Sequence, residues 1–217
     1  MRIRTILPSL LCVAVLVIGM CAPQHAQAKK KIVDIYELSL DDNLESPQPE
    51  NERVADRIVE FQYEVAVGLK KQNLDVELMR DNQVIVVTFP ASQLFAPNDT
   101  VLSQVGKSTL APMVKFIKNP GLYKMLLVMH HDNTGSETYT FNLSRSRVNA
   151  VFDWIDETGS VDFVVPYALG DTDPLVNNNS VDNRKRNRRL EIYLVPEESL
   201  LQLAKKGKID TRILKTK

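Results

Sequence analysis

The chain has 217 residues, 44% hydrophobic and 25% charged, with 11 Pro and 8 Gly. That length and composition fit one globular domain, or one with an appendage, and exclude a disordered or fibrous chain. Lys+Arg and Asp+Glu both count 27, so there is no whole-molecule field to gather nucleic acid or an acidic membrane. Both cysteines, Cys12 and Cys21, lie in the first 28 residues, so nothing beyond them can form a disulfide, bind zinc through thiolates or attack as a thiol.

Arg2 and Arg4 precede an apolar run from Ile6 to Met20, and Ala26-Gln27-Ala28 supplies small residues for cleavage before Lys29. Residues 1–28 therefore read as an export signal. Fifteen helical residues rise about 22 Å, short of the roughly 30 Å hydrocarbon core. Ile18-Gly19-Met20-Cys21 offers a rival lipoprotein-type site, although Met20 is large for the position before the cysteine. Cleavage after Ala28 is preferred over a lipid on Cys21 or an uncleaved anchor. All three place the remainder outside the cytoplasm, in the periplasm, either free or attached to the outer membrane. Without Arg2 and Arg4 the balance becomes 25 basic against 27 acidic residues, mildly acidic.

Residues 29–52 are polar, with Asp41-Asp42-Asn43 and Ser46-Pro47-Gln48-Pro49, and read as a linker or loosely held arm. Residues 53–82 carry an amphipathic helix, with Val54, Ile58, Phe61, Val65 and Leu69 as its stripe, then the first strand of a hairpin. Arg80-Asp81-Asn82 makes the turn, and Val84 to Phe89 the more buried second strand. After the Pro97-Asn98-Asp99-Thr100 turn, Leu110, Met113, Val114 and Ile117 share a helix face, stopped by Asn119-Pro120-Gly121. Tyr123 to Met129 is an apolar strand. A helix from about Tyr139 to Asp156 follows a polar loop. Phe163 to Tyr167 and Leu190 to Val195 are strands on either side of a Gly/Asp/Asn-rich crossing. Residues 83–196 thus form an α+β domain in β-α-β-α-β-β order, helices on one mixed sheet, with a basic tail at 197–217 carrying one short helix.

Arg147 lies between Leu143 and Val151 on the apolar face of the second helix. A guanidinium turned toward a core needs an anionic partner. Asp132, after the preceding strand, is positioned to supply one. Pattern leaves two readings open. The pair is a structural tie from loop to helix, or both charges line a pocket for a zwitterion, Arg gripping a carboxylate and Asp an ammonium.

Asp132-Asn133-Thr134-Gly135-Ser136, with Tyr139, Leu143-Ser144 and Arg147, resembles the peptidoglycan-binding motif of OmpA-like C-terminal domains. Gly170-Asp171-Thr172-Asp173-Pro174 is similar to that family's Gly-Glu-Ser-x-Pro turn, and Asn187-Arg188-Arg189-Leu190-Glu191-Ile192 to its closing strand. Leu94-Phe95 sits where the family has a Phe before the first helix. The resemblance covers about Val84 to Val195. It implies non-covalent binding of diaminopimelate in the peptidoglycan stem, with Asp132 taking the ammonium and Arg147 the carboxylate. Thr140 and Leu143 would also contact the ligand, supported by Asn187, Arg188 and Tyr139. The chain departs from the family at Met129, His130 and His131, which make a bulkier wall, and at Thr140, where the family has Asn.

The resemblance makes peptidoglycan the expected partner and anchoring of an envelope component the expected role, with no cofactor and no catalysis. An envelope structural or assembly protein with a degenerate pocket is the alternative. The Val54-to-Leu69 stripe either packs on the sheet as an extra layer or receives an envelope protein. Packing is preferred, since an exposed stripe of that length would be sticky. No distant ligand of obvious type joins His130, His131 and Asp132 for a metal. The five cations from Arg184 to Arg189 read as a solvated turn and strand entry rather than a nucleic-acid surface.

Overall fold

The computed structural model describes residues 34–119 and 121–214. The export signal, Cys21 and Pro120 lie outside the described residues.

After a 3-10 turn, α1 (Leu40–Asn43) is a single turn, and α2 (Glu52–Lys70) is capped by the Asn51 side chain accepting from the Val54 amide. The hairpin strands are β1 (Asp75–Met79) and β2 (Val84–Pro90), joined through Arg80, Asp81 and Asn82, all at positive φ. Next come α3 (Ala91–Leu94), α4 (Gln104–Leu110), a 3-10 turn and α5 (Val114–Ile117). Then follow β3 (Tyr123–His130), α6 (Glu137–Asp156), β4 (Val164–Gly170), α7 (Val181–Asn187), β5 (Arg189–Pro196) and α8 (Glu198–Lys205). The strands form one mixed sheet in the order β1-β2-β5-β3-β4, in which only the β3–β4 pair is parallel.

The first helix of the expected β-α-β-α-β-β order is broken into α4, a 3-10 turn and α5 rather than continuous. Pro112 lacks an amide to donate, and its ring crowds the preceding turn. Gly106 lets α4 press against α3: a Cβ there would lie 2.7 Å from the Leu94 carbonyl oxygen. Residues 181–187, expected as the end of a loop followed by a solvated turn, form α7, started by the Ser180 side chain accepting from the Asn183 amide.

The sheet has two covered faces. On one, Val87, Leu127, Met129, Ile192 and Leu194 pack in the main core with α2, α6 and α8. The α2 stripe of Val54, Ile58, Phe61, Val65 and Leu69 is buried there, as are Leu200 and Ala204 of α8. The stripe and the apolar side of the tail helix are thus both packed inside the domain.

The opposite face corrects the expectation of a loose arm. Leu44 joins Val84, Leu126, Val128, Val165 and Val195 in a second cluster flanked by Ile35 and Leu40. Asn43, fully buried, donates to the Ile35 carbonyl and the Tyr167 hydroxyl, each at 2.6 Å. Few apolar residues suffice because the sheet supplies the other half of the contact. The arm starts beside the entry to β4, where the Tyr36 hydroxyl donates to the Val161 carbonyl, and leaves beside the hairpin turn, where Arg80 meets Glu45. Both points lie at the end of the sheet remote from the last residues of β2 and β3.

Candidate functional site

At the carboxyl ends of β2 and β3, beside the start of β5, lies a cleft of about 490 Å³. Ala91, Ser92, Phe95, Ala96, Pro97 and Asn98 build one wall. His131, Asp132 and Thr134 from the loop after β3, with Tyr139 and Arg147 of α6 and Arg188, build the other.

A register shift between Met129 and His130 in the β3–β4 ladder sets how β3 ends. Gly135, at φ +117°, then allows the chain to turn into α6, since a side chain there would meet the Tyr139 ring. Ser136 caps that helix. Asp132 is fully buried, and its Oδ1 accepts from the Thr134 amide at 2.8 Å. Its Oδ2 accepts from an Arg188 guanidinium N–H. Burial pushes the Asp132 carboxyl up, but the Thr134 hydrogen bonds, His131 and Arg188 outweigh it and hold it below the ordinary value.

Arg147, 4% exposed, does not pair with Asp132. Its Nε donates to the Asp99 carbonyl at 2.8 Å, one Nη reaches the Ala96 carbonyl at 3.4 Å, and the guanidinium stands 5.1 Å from the Phe95 ring centre. Burial is the leading cause of its lowered pKa, and neighbouring Arg188 adds to it. The structural-tie reading is thus corrected: Asp132 is tied to Arg188, and Arg147 to backbone carbonyls of the facing loop. Asn98, at φ +58°, and the Asp99 side chain, accepting from the Thr100 and Val101 amides, shape that loop.

Of the other residues expected at the site, Tyr139 lines the cleft, 45% exposed and edge-on to His131. Thr140 and Leu143 do not line it. The Thr140 hydroxyl faces inward and donates to the Glu137 carbonyl or Asp171 carboxylate, and Leu143 is buried. Ser144, which follows Leu143 in the motif, is also buried. Asn187 is a support, its amide bonded to Val176 and Asn178 so that it pins the loop after β4. Arg188 is not behind the site but in it. The bulky wall reduces to His131: strand alternation sends Met129 into the main core and His130 to the opposite face.

The basic run divides accordingly. Arg184, Lys185 and Arg186 sit on α7, Arg188 in the cleft, and Arg189 is 3% exposed, its Nε 2.7 Å from Glu191. Glu191 also accepts from the Tyr193 hydroxyl at 2.5 Å and lies 3.2 Å from His130 Nε2. Its burial is outweighed by His130, Tyr193 and Arg189, which hold its pKa at about 2.

What the sequence did not indicate is the Ala91–Asn98 wall. Its carbonyl contacts to Arg147 use backbone, which any residue supplies. The Pro97-Asn98-Asp99-Thr100 turn was the available sign of a shaped segment, and Asn98 in it takes a positive φ. Among the described residues no helix is long and apolar enough to cross a membrane.

Residues 94–188 match the family model described as the OmpA family. The chain is 23% identical over 128 residues to the probable lipoprotein YiaD of Escherichia coli (strain K12), an alignment covering 58% of each protein. It is 26% identical over 110 residues to outer membrane protein A of Bordetella avium, covering 50% of this chain and 57% of that one. It thus spans under two thirds of the length of these relatives. Among solved structures, a MotB-like protein from Desulfovibrio vulgaris superposes with a TM-score of 0.58 at 22% identity, covering 67% of this chain and 97% of that one. The cell wall anchor of the T6SS from Pseudomonas aeruginosa superposes with a TM-score of 0.52 at 28% identity, covering 67% of this chain and all of that one. Residues 94–188, which carry Asp132, Arg147 and most of the cleft, are thus similar to the OmpA family.

Proposed function

We propose that the protein binds peptidoglycan non-covalently through the diaminopimelate of the stem peptide, and so anchors an envelope component to the cell wall. Asp132 accepts the ligand's ammonium and Arg147 grips the carboxylate beside it. The observation that carries this reading is that the two opposite charges line one cleft, both buried, without being bonded to each other. A carboxylate has about four lone-pair sites and a guanidinium five N–H groups, so the protein contacts leave capacity on both for a ligand. A zwitterion inserted between them would replace the solvation each has lost by burial. The similarity to a cell wall anchor supports the role, and similarity to an outer membrane protein and a probable lipoprotein supports the envelope location. The export signal read in residues 1–28 agrees with that location. The reading assigns no bond-making step to the cleft.

The test is co-sedimentation of the mature chain with diaminopimelate-type sacculi, alongside Asp132→Asn and Arg147→Ala. Removing one partner of a buried charge contact costs a complex about 2–5 kcal/mol, so each variant should bind at least about thirtyfold more weakly. Circular dichroism melts check that both remain folded. A wild type that stays in the supernatant would favour an envelope assembly protein with a degenerate pocket, with His131 as the cleft residue to blame.

A further inference from the structure

Arg188 is not needed to hold a simple zwitterion, yet it lines the same cleft. Its backbone is fixed there: its carbonyl accepts from Ala91 at 2.9 Å and its amide donates to the Arg184 carbonyl at 3.1 Å. Its side chain is one-third exposed, and among the described residues its guanidinium makes one hydrogen bond, to Asp132. The remaining N–H groups are free to take an acceptor from the cleft.

The charges of the cleft do not balance. Asp132 is the one carboxylate among its lining residues, against the guanidiniums of Arg147 and Arg188. The two cations are near enough for Arg188 to oppose the charge on Arg147, and Arg147 is met by carbonyl oxygens rather than by an anion. A neutral zwitterion leaves this positive excess in place. A ligand with one more carboxylate cancels it.

We propose that the cleft reads two carboxylates on its ligand, Arg147 taking the one beside the ammonium and Arg188 a second, further along the peptide. This rests on the wall-binding reading and specifies its substrate. In a stem peptide whose glutamate is joined to diaminopimelate through its side-chain carboxyl, the glutamyl α-carboxylate is free and adjacent to diaminopimelate. It is the group assigned to Arg188. Asp132 is then shared between Arg188 and the ligand ammonium, through different lone pairs of one carboxylate.

Isothermal titration of the mature chain with two synthetic peptides tests this. One is L-alanyl-γ-D-glutamyl-meso-diaminopimelyl-D-alanine, and the other is the same peptide with the glutamyl α-carboxyl amidated. The wild type should bind the acid about tenfold more tightly than the amide, the scale of one charge-assisted contact at a partly exposed site. Arg188→Gln should bind both peptides equally, near the affinity of the wild type for the amide. Arg188→Lys, which keeps the charge and loses the fork, should retain part of the preference. Equal wild-type affinity for the two peptides would overturn the proposal while leaving the wall-binding reading intact. So would tighter binding of both by Arg188→Gln, which would make Arg188 a competitor for Asp132. A wild type that binds neither peptide would remove the wall-binding reading and this one together. If Arg188→Gln fails to fold, the wild-type comparison of acid and amide decides alone.

Discussion

The two faces of the sheet are filled by different means, although the same strands build both. On β3, Leu127 and Met129 point into a dry core against helices, while their neighbours Leu126 and Val128 point to a face closed by an arm with few apolar residues. Toward the cleft end the second face turns polar, with His130, Arg189, Glu191 and the Tyr193 hydroxyl in one network. That network reaches the loop after β4, where the Arg189 guanidinium lies 3.4 Å from the Asp173 carbonyl. The helical face supplies bulk stability. The other face uses directional bonds to hold the loop beside the site, and directional bonds fix geometry more sharply than apolar contact does.

Leu126 and Leu127 let that contrast be measured with identical chemistry, since both are fully buried. Leu127→Ala should cost about 4–5 kcal/mol, because helices packed from several sides cannot close over the cavity, whereas Leu126→Ala should cost about 2–3 kcal/mol as the arm settles inward. Chemical denaturation of the two variants gives the difference, and equal costs would mean that the arm is as rigid as the helices.

Glu191→Ala attacks the polar half directly. It leaves Arg189 and His130 buried without their carboxylate, a loss of about 3 kcal/mol by the usual cost of breaking a buried pair. A drop below about 1 kcal/mol in the urea midpoint analysis would show that solvent already reaches the network.

Acid should probe the same group without mutation. The folded pKa of Glu191 lies at about 2, below its ordinary 4.5. Its contribution is therefore complete above pH 4.5 and is lost as pH falls toward 2, up to about 3 kcal/mol. Thermal melts across that window should fall more steeply for the wild type than for Glu191→Gln. Parallel curves would refute the assignment.

The smallest effect is expected at the arm's exit, where Arg80 and Glu45 form a 2.7 Å pair open to solvent. Arg80→Gln should change stability by under about 1 kcal/mol, and less still at high salt. A larger, salt-insensitive loss would mean that this contact, rather than Leu44, holds the arm.

Much of the fold was legible because its signals are local. The 3.6-residue spacing from Val54 to Leu69, the turn at Arg80-Asp81-Asn82 and the apolar run of β3 each determine an element without outside help. The buried position of Arg147 was legible too, as a cation interrupting an apolar stripe. The identity of its neighbours was not. Asp99 and Ala96 meet it through carbonyl oxygens, which carry no residue signature, and they arrive from 48 and 51 positions away. Arg188 and Arg189 are adjacent in the chain and chemically identical. That one lines the cleft while the other is sealed beside Glu191 follows from where β5 begins and which way each residue points from it. The polar segment from Ser39 to Gln48 holds too few apolar residues to announce a packed element. It is docked because the sheet face beneath it supplies the rest. Local periodicity, turn chemistry and the export pattern belong to the sequence alone. The tertiary structure decides which charges meet, because those contacts join segments tens of residues apart through backbone and strand direction.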